Sequence, residues 1–163
     1  MSGISLSLAI EAAGIFWPAF VEVDGCVLLA REVPDPATIR HRESRTATEC
    51  FVNHVHVTDL FDHAIPVTEH PEHGYLEHDE AHPDFGRAVE LGERLAAMWA
   101  AKLRAEYPAR SFQVYLTQRD APILRFHELR ADEAPWVSAG DSASAVASGD
   151  LLVIGTAADP PAR

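Results

Sequence analysis

The longest helical pattern in the chain covers residues 84–107, DFGRAVELGERLAAMWAAKLRAEY. Ala88, Leu91, Leu95, Met98 or Trp99, and Leu103 recur at spacings of three and four, which draws one apolar stripe down a helix. Asp84 suits the N-cap, and Pro108 ends the helix because it restricts the residue before it to extended backbone. Glu90 and Arg94 form an i,i+4 pair on the opposite, wet side. Such a stripe has to be buried against another layer, and the segments around it read as strands.

Two hairpins supply most of that layer. FWPAFVEV and CVLLAREV flank Asp24-Gly25, a dipeptide that supplies the positive φ angles of a type I′ turn. Pro18 cannot donate to a ladder, so the first of these strands is expected at an edge or with a bulge. SFQVYLT and PILRFHELR, joined by QRDA, form the second hairpin, in which Phe112, Val114 and Leu116 share a face. The β-branched, alternating run 48–58, TECFVNHVHVT, reads as a central strand with Val52, His54, His56 and Thr58 on one side. Residues 4–13 suggest a short helix carrying Leu6, Ile10 and Ala13, with Gly14 closing it. The Ser/Ala/Gly-rich run 138–149 looks like a flexible connection, and LLVIG at 151–155 like one more strand.

A chain of 163 residues is one ordinary domain. The expected fold is α+β. An antiparallel or mixed sheet of about five or six strands, two hairpins plus a central strand, packs against one long helix and a short N-terminal helix. The domain is expected to span 1–155, with 156–163 as a flexible tail. No βαβ alternation or glycine-rich strand-to-helix turn suggests a nucleotide-binding sheet. Cys26 and Cys50 are too few for a disulfide framework and read as small buried hydrophobes. No apolar run approaches the roughly 20 residues of a membrane span, and the N-terminus lacks a basic region, so a cytoplasmic location is expected.

Chemistry concentrates between Glu49 and Gly86. That window holds seven of the nine histidines and nine carboxylates, and no Lys or Arg. It supplies −9 of the formal charge of −12. Within it, residues 59–83 show no strong periodicity and are expected to form a long acidic, His-rich, Ω-like loop with exposed histidines. A chain this acidic is unsuited to nucleic acid, whose phosphates require clustered Lys and Arg. It suits a basic protein partner. Small acidic α+β proteins without a catalytic set often neutralise basic enzymes or toxins, as bacterial immunity proteins and antitoxins do, and that analogy of type sets the first functional expectation. Asp59, Asp62, Glu69, Glu72, Glu77, Asp79 and Glu80 would steer such a partner, with Phe61 and Tyr75 as aromatic anchors.

The alternative is a metal site, as a binding protein or as a Zn- or Fe-dependent hydrolase or oxygenase. His54 and His56 would lie about 7 Å apart along one strand face. His63 is the third candidate ligand, and zinc is the ion that His and carboxylate donors most readily suggest. The run His78-Asp79-Glu80-Ala81-His82 departs from HExxH because Asp79 follows the first histidine and Pro83 opposes helical geometry at His82. No complete catalytic motif is present, and the sequence does not set the oligomeric state.

Overall fold

A four-stranded antiparallel sheet carries the molecule, and its two central strands are the second hairpin, β6 (Phe112–Thr117) and β7 (Ile123–Glu128). A computed structural model describes residues 5–33, 35–39, 42–60, 65–69 and 76–157. The sheet order is β3-β7-β6-β8, with β3 (Val55–His56) and β8 (Leu151–Thr156) at its edges. Phe112, Val114 and Leu116 of β6 and Leu124 and Phe126 of β7 are fully buried under the long helix α3 (Phe85–Glu106). From α3, Leu95, Ala96, Trp99, Ala100 and Leu103 complete the core. The alternation of the strands and the stripe of the helix thus meet as their periods require. The structure is α+β, and among the described residues no helix is long and apolar enough to cross a membrane.

Where α3 crosses β6, Gly92 lets the two layers touch. A Cβ built there would lie 2.7 Å from Leu116 Cδ1 and 3.0 Å from Cδ2. Gly92→Ala is expected to cost about 1–3 kcal/mol through overpacking, even though alanine is the better helix former. Urea denaturation checks this, and an unchanged midpoint would show that Leu116 moves aside freely.

The first hairpin is a separate two-stranded ribbon, β1 (Phe20–Val23) and β2 (Cys26–Leu29), paired from Val23↔Cys26 to Phe20↔Leu29. Asp24 and Gly25 have φ of 49° and 79°, as the type I′ turn requires. Pro18 precedes the strand and costs no ladder bond. A second ribbon pairs β4 (Val67–Glu69) with β5 (Leu76–His78), so the expected Ω-like loop contains a short hairpin. Its base is fixed by the His78 N–H donating to the Asp120 carbonyl and the Asp79 N–H to the Pro66 carbonyl.

Three expectations are corrected. Residues 45–52 form a helix, α2 (Arg45–Val52), so only Val55 and His56 remain of the predicted central strand. Ser44 caps α2 by accepting from the Ala47 N–H, and tertiary contacts of Glu49 and Asn53 override the β-branched composition. Residues 139–148 also form a helix, α4 (Ala139–Ser148), capped by Ser138 and closed by Gly149 at φ 78°. Its alanines, the best helix formers, outweigh the Ser/Gly content that suggests a linker. Last, α1 (Leu6–Phe16) runs through Gly14 to Phe16, and the predicted stripe is not its buried face. Leu6 and Ile10 are 77% and 66% exposed. The helix docks through Ile15 and Phe16, and the Trp99 indole N–H donates to the Ile15 carbonyl at 2.9 Å.

Two smaller differences concern termini. Asp84 has helical backbone and its carboxylate pairs with Arg87 at 2.8 Å, so it does not cap α3 through its side chain. Thr156 is a buried member of β8 whose Oγ1 accepts from the Phe112 N–H, so residue 156 belongs to the sheet and not to a tail; residues 158–163 lie outside the described set. Both cysteines are free and buried, and burial first of all pushes their thiols up to about 11 for Cys26 and about 12 for Cys50, far from nucleophilic.

The start of α2 is tied to the loop after β7. Glu133 accepts from the Thr46 N–H at 2.7 Å and from Arg45 Nε at 2.7 Å. Burial raises the Glu133 carboxyl, but these bonds and the nearby Arg130 charge outweigh it and hold the group at about 2, against 4.5 ordinarily. A carboxyl lowered on folding adds stability above its unfolded value and loses it as pH falls through the folded value. Stability is therefore expected to drop between about pH 4.5 and about 2. Glu133→Gln should flatten that part of the pH–stability curve, which chemical denaturation across the range would read.

Candidate functional site

The backbone that presents the two candidate imidazoles is fixed by its neighbours. Glu49 and Asn53 stand one turn apart at the end of α2, both fully buried. Glu49 Oε1 accepts from the Val27 N–H and Asn53 Oδ1 from the Leu29 N–H, each at 2.8 Å. These are alternate residues of β2, so two side chains at helical spacing take the place of a neighbouring strand along its free edge. The same side chains reach β7. Glu49 Oε2 accepts from the Glu128 N–H at 2.9 Å, and Asn53 Nδ2 donates to the Val27 and Phe126 carbonyls. Arg130 closes on both Glu49 oxygens at 2.7 and 2.8 Å. Glu49 therefore belongs to the interior and not to the acidic surface.

Immediately after this clasp the chain turns into β3. His56 pairs with Ile123 of β7, and the Val57 N–H donates to the Pro122 carbonyl. His54 and His56 fall on the same side, as the period of two requires, and they converge much more than strand rise alone implies. Their Nε2 atoms are 2.9 Å apart and hydrogen-bonded, one ring donating and the other accepting according to tautomer, and the rings meet edge to face with centroids 4.9 Å apart. In front of them opens a cleft of about 570 Å³ bordered by Arg31, Glu32, Phe51, Asp59 and Leu60.

Burial lowers the proton affinity of His54, and the Arg125 guanidinium and His56 lower it further. His56 is also lowered chiefly by burial; Asp59 opposes this while Arg125 and His78 add to it. Arg125 stands on the same face of β7 under Trp136, 5.7 Å from the ring centroid, with its Nε buried and without a hydrogen-bond partner among the described residues. Burial lowers its own proton affinity. His78 Nε2 contacts Thr58 Oγ1 at 3.1 Å, while its Nδ1 is buried and has no hydrogen-bond partner among the described residues.

His127, the remaining strand histidine, is fully buried, and burial lowers its proton affinity. Its Nδ1 donates to the Glu128 carbonyl, which leaves Nε2 to accept from the Trp136 N–H; the Tyr115 hydroxyl lies 3.0 Å from the same atom. It is a packing residue, as a lone strand histidine usually is.

Of the predicted acidic surface, Asp59, Asp79 and Glu80 are exposed. Asp79 accepts from the Ala81 N–H and Glu80 from the Asp120 N–H, so both are held in place. Glu69 and Glu77 belong to β4 and β5, but their side chains, with Phe61, Asp62, His63, Glu72 and Tyr75, lie outside the described residues. Among the described residues no three His, Cys, Asp or Glu side chains come close enough to hold a metal ion. The cleft residues Glu32 and Phe51 and the neighbouring Arg125 are the ones sequence reasoning missed. Arg125 left one signal, its shared strand face with Ile123 and His127. The chain matches no family model, no curated protein and no solved structure.

Proposed function

We propose that the chain is a docking protein that captures a basic protein partner through the acidic surface beside β4 and β5. One observation supports this above the others, the clustering of exposed carboxylates without ion pairs beside β4 and β5, in the window that supplies −9 of the formal −12. In the body of the domain, cations stand against carboxylates: Arg130 with Glu49 and Glu128, Arg110 with Glu22 and Glu128, Arg45 with Asp132 and Glu133. Surface pairs such as Arg94–Glu90 and Arg119–Asp150 do the same on the far elements. Asp59, Asp79 and Glu80 have no Arg or Lys within ion-pair distance among the described residues. Other exposed carboxylates, such as Glu11, Glu93 and Asp141, stand singly on separate helices, whereas the charge concentrated in this window would steer a positively charged partner and speed encounter. Neutralising a basic enzyme or toxin is the role this supports.

The test uses a panel of basic proteins offered to the intact chain at about 50 and about 300 mM salt, where screening lengths differ more than twofold. Binding of at least one is expected to weaken about tenfold or more at the higher salt. The Asp59→Asn/Glu69→Gln/Glu77→Gln/Glu80→Gln variant should lose most of that salt dependence along with the affinity. Binding that ignores both salt and these substitutions would rule this surface out.

A further inference from the structure

We infer that His54 and His56 form a two-imidazole chelate for a divalent ion of tetragonal preference, Cu(II) or Ni(II), at the mouth of the cleft. The reading is independent of the docking function. It rests on the bite of the pair. Two nitrogens each about 2.0–2.1 Å from a shared ion stand about 2.9 Å apart when the angle at the ion is 90°, and about 3.3–3.4 Å apart at the tetrahedral angle. The observed Nε2–Nε2 separation is 2.9 Å, at which one imidazole Nε2–H donates to the other Nε2; an ion would take the place of that proton, which moves to Nδ1 of the donor ring. Right-angled neighbouring positions are those of square-planar and octahedral ions, whereas zinc prefers the wider spacing.

The chelate is also pre-organised. Asn53, one residue before it, is locked to β2 and β7, and Val57, one residue after it, is bonded to Pro122. Closing a chelate on a backbone already fixed at both ends costs little further ordering entropy. Because no third donor joins among the described residues, the other coordination positions face the cleft. The nearby Arg125 charge opposes a bare dication and favours an anionic co-ligand, hydroxide or a small carboxylate, on those positions.

Copper outcompetes zinc at almost any nitrogen site, so the informative comparison is Ni(II) with Zn(II). Untagged protein titrated with each metal salt is expected to bind one Ni(II) at least tenfold more tightly than Zn(II). Electron paramagnetic resonance of the 1:1 Cu(II) form should show two imidazole nitrogens. His54→Gln/His56→Gln should weaken Ni(II) and Cu(II) at least tenfold, while His63→Gln/His70→Gln/His73→Gln keeps the site. Each single variant, checked for fold by near-ultraviolet circular dichroism, should lose one nitrogen from the spectrum. The inference is overturned if Zn(II) binds more tightly than Ni(II), or if the wild-type spectrum lacks a nitrogen pair. It is equally overturned if the tight site follows the 63/70/73 histidines.

Discussion

Glu49→Ala is expected to lower the stability of the domain by about 3–5 kcal/mol, the range for stranding the partner of a buried ion pair. The carboxylate is fully buried and every strong contact it makes is to a group that is itself withdrawn from water. Truncation leaves Arg130 with only the Glu128 carboxylate and the Gly25 carbonyl and frees the N–H groups of Val27 and Glu128 with no acceptor. For a domain of this size each kcal/mol lowers the melting temperature by about 2–4 °C, so a fall of roughly 10 °C or more should accompany it. Glu49→Gln should cost less than alanine yet remain damaging, because its amide presents donors to donors on one side. Combining Glu49→Ala with Arg130→Met separates loss of the pair from burial of an unpaired charge. If the double variant is more stable than Glu49→Ala alone, the stranded guanidinium is the larger part. A cost below about 1 kcal/mol for Glu49→Ala would mean that water enters and replaces the carboxylate.

The same residue shows why part of the molecule was legible in the sequence and part was not. The long helix and the 112–128 hairpin follow from apolar periodicity, because their buried faces are made of Leu, Phe, Val and Trp. The Asp24-Gly25 turn follows from local backbone chemistry. In α2 most of the buried positions are polar: Thr46, Thr48 and Glu49 are buried beside Cys50, and Asn53 at the C-cap is buried as well. A period of 3.6 written in polar residues is invisible to hydrophobic pattern reading, while the β-branched residues nearby imitate a strand. Glu49 consequently falls within the acidic window by composition, although it neutralises Arg130 inside the protein. In α1 the reverse holds, for Leu6 and Ile10 repeat as a core stripe does and yet face outward.

For the candidate site, the alternation of His54 and His56 fixed their common side but not their convergence to 2.9 Å. That depends on side-chain rotation about a backbone held by Asn53 and by the pairing of His56 with Ile123, which lies about seventy residues away in the chain. The acidic window was legible as composition. Which of its carboxylates meet a cation was only partly so: Asp84 pairs locally with Arg87, whereas Glu49 is neutralised by Arg130, eighty-one residues away in the chain.

Asn53→Ala carries the second large effect, and it reaches the cleft as well as the fold. The amide is fully buried, with one acceptor bond from the Leu29 N–H and donor bonds to the Val27 and Phe126 carbonyls. Alanine leaves these three main-chain groups unsatisfied and a small void beside them; at about 1–3 kcal/mol for each, with partial relaxation, a total of about 3–4 kcal/mol is expected. Asp is the instructive comparison, since it keeps the acceptor for Leu29 but loses both donors and sets a carboxylate against two carbonyls. It should be no better than alanine. Asn53 also closes α2 one residue before His54, where its own N–H bonds to the Glu49 carbonyl. With its side chain gone, the helix end and the start of β3 gain freedom relative to each other, and the two imidazoles no longer share one fixed separation. Under conditions where Asn53→Ala remains folded, Ni(II) affinity should therefore fall about threefold to tenfold although both histidines are present. Isothermal titration read beside urea denaturation distinguishes the two consequences. A variant that loses stability but keeps full Ni(II) affinity would show that β7 alone, through the His56–Ile123 pairing, suffices to hold the chelate.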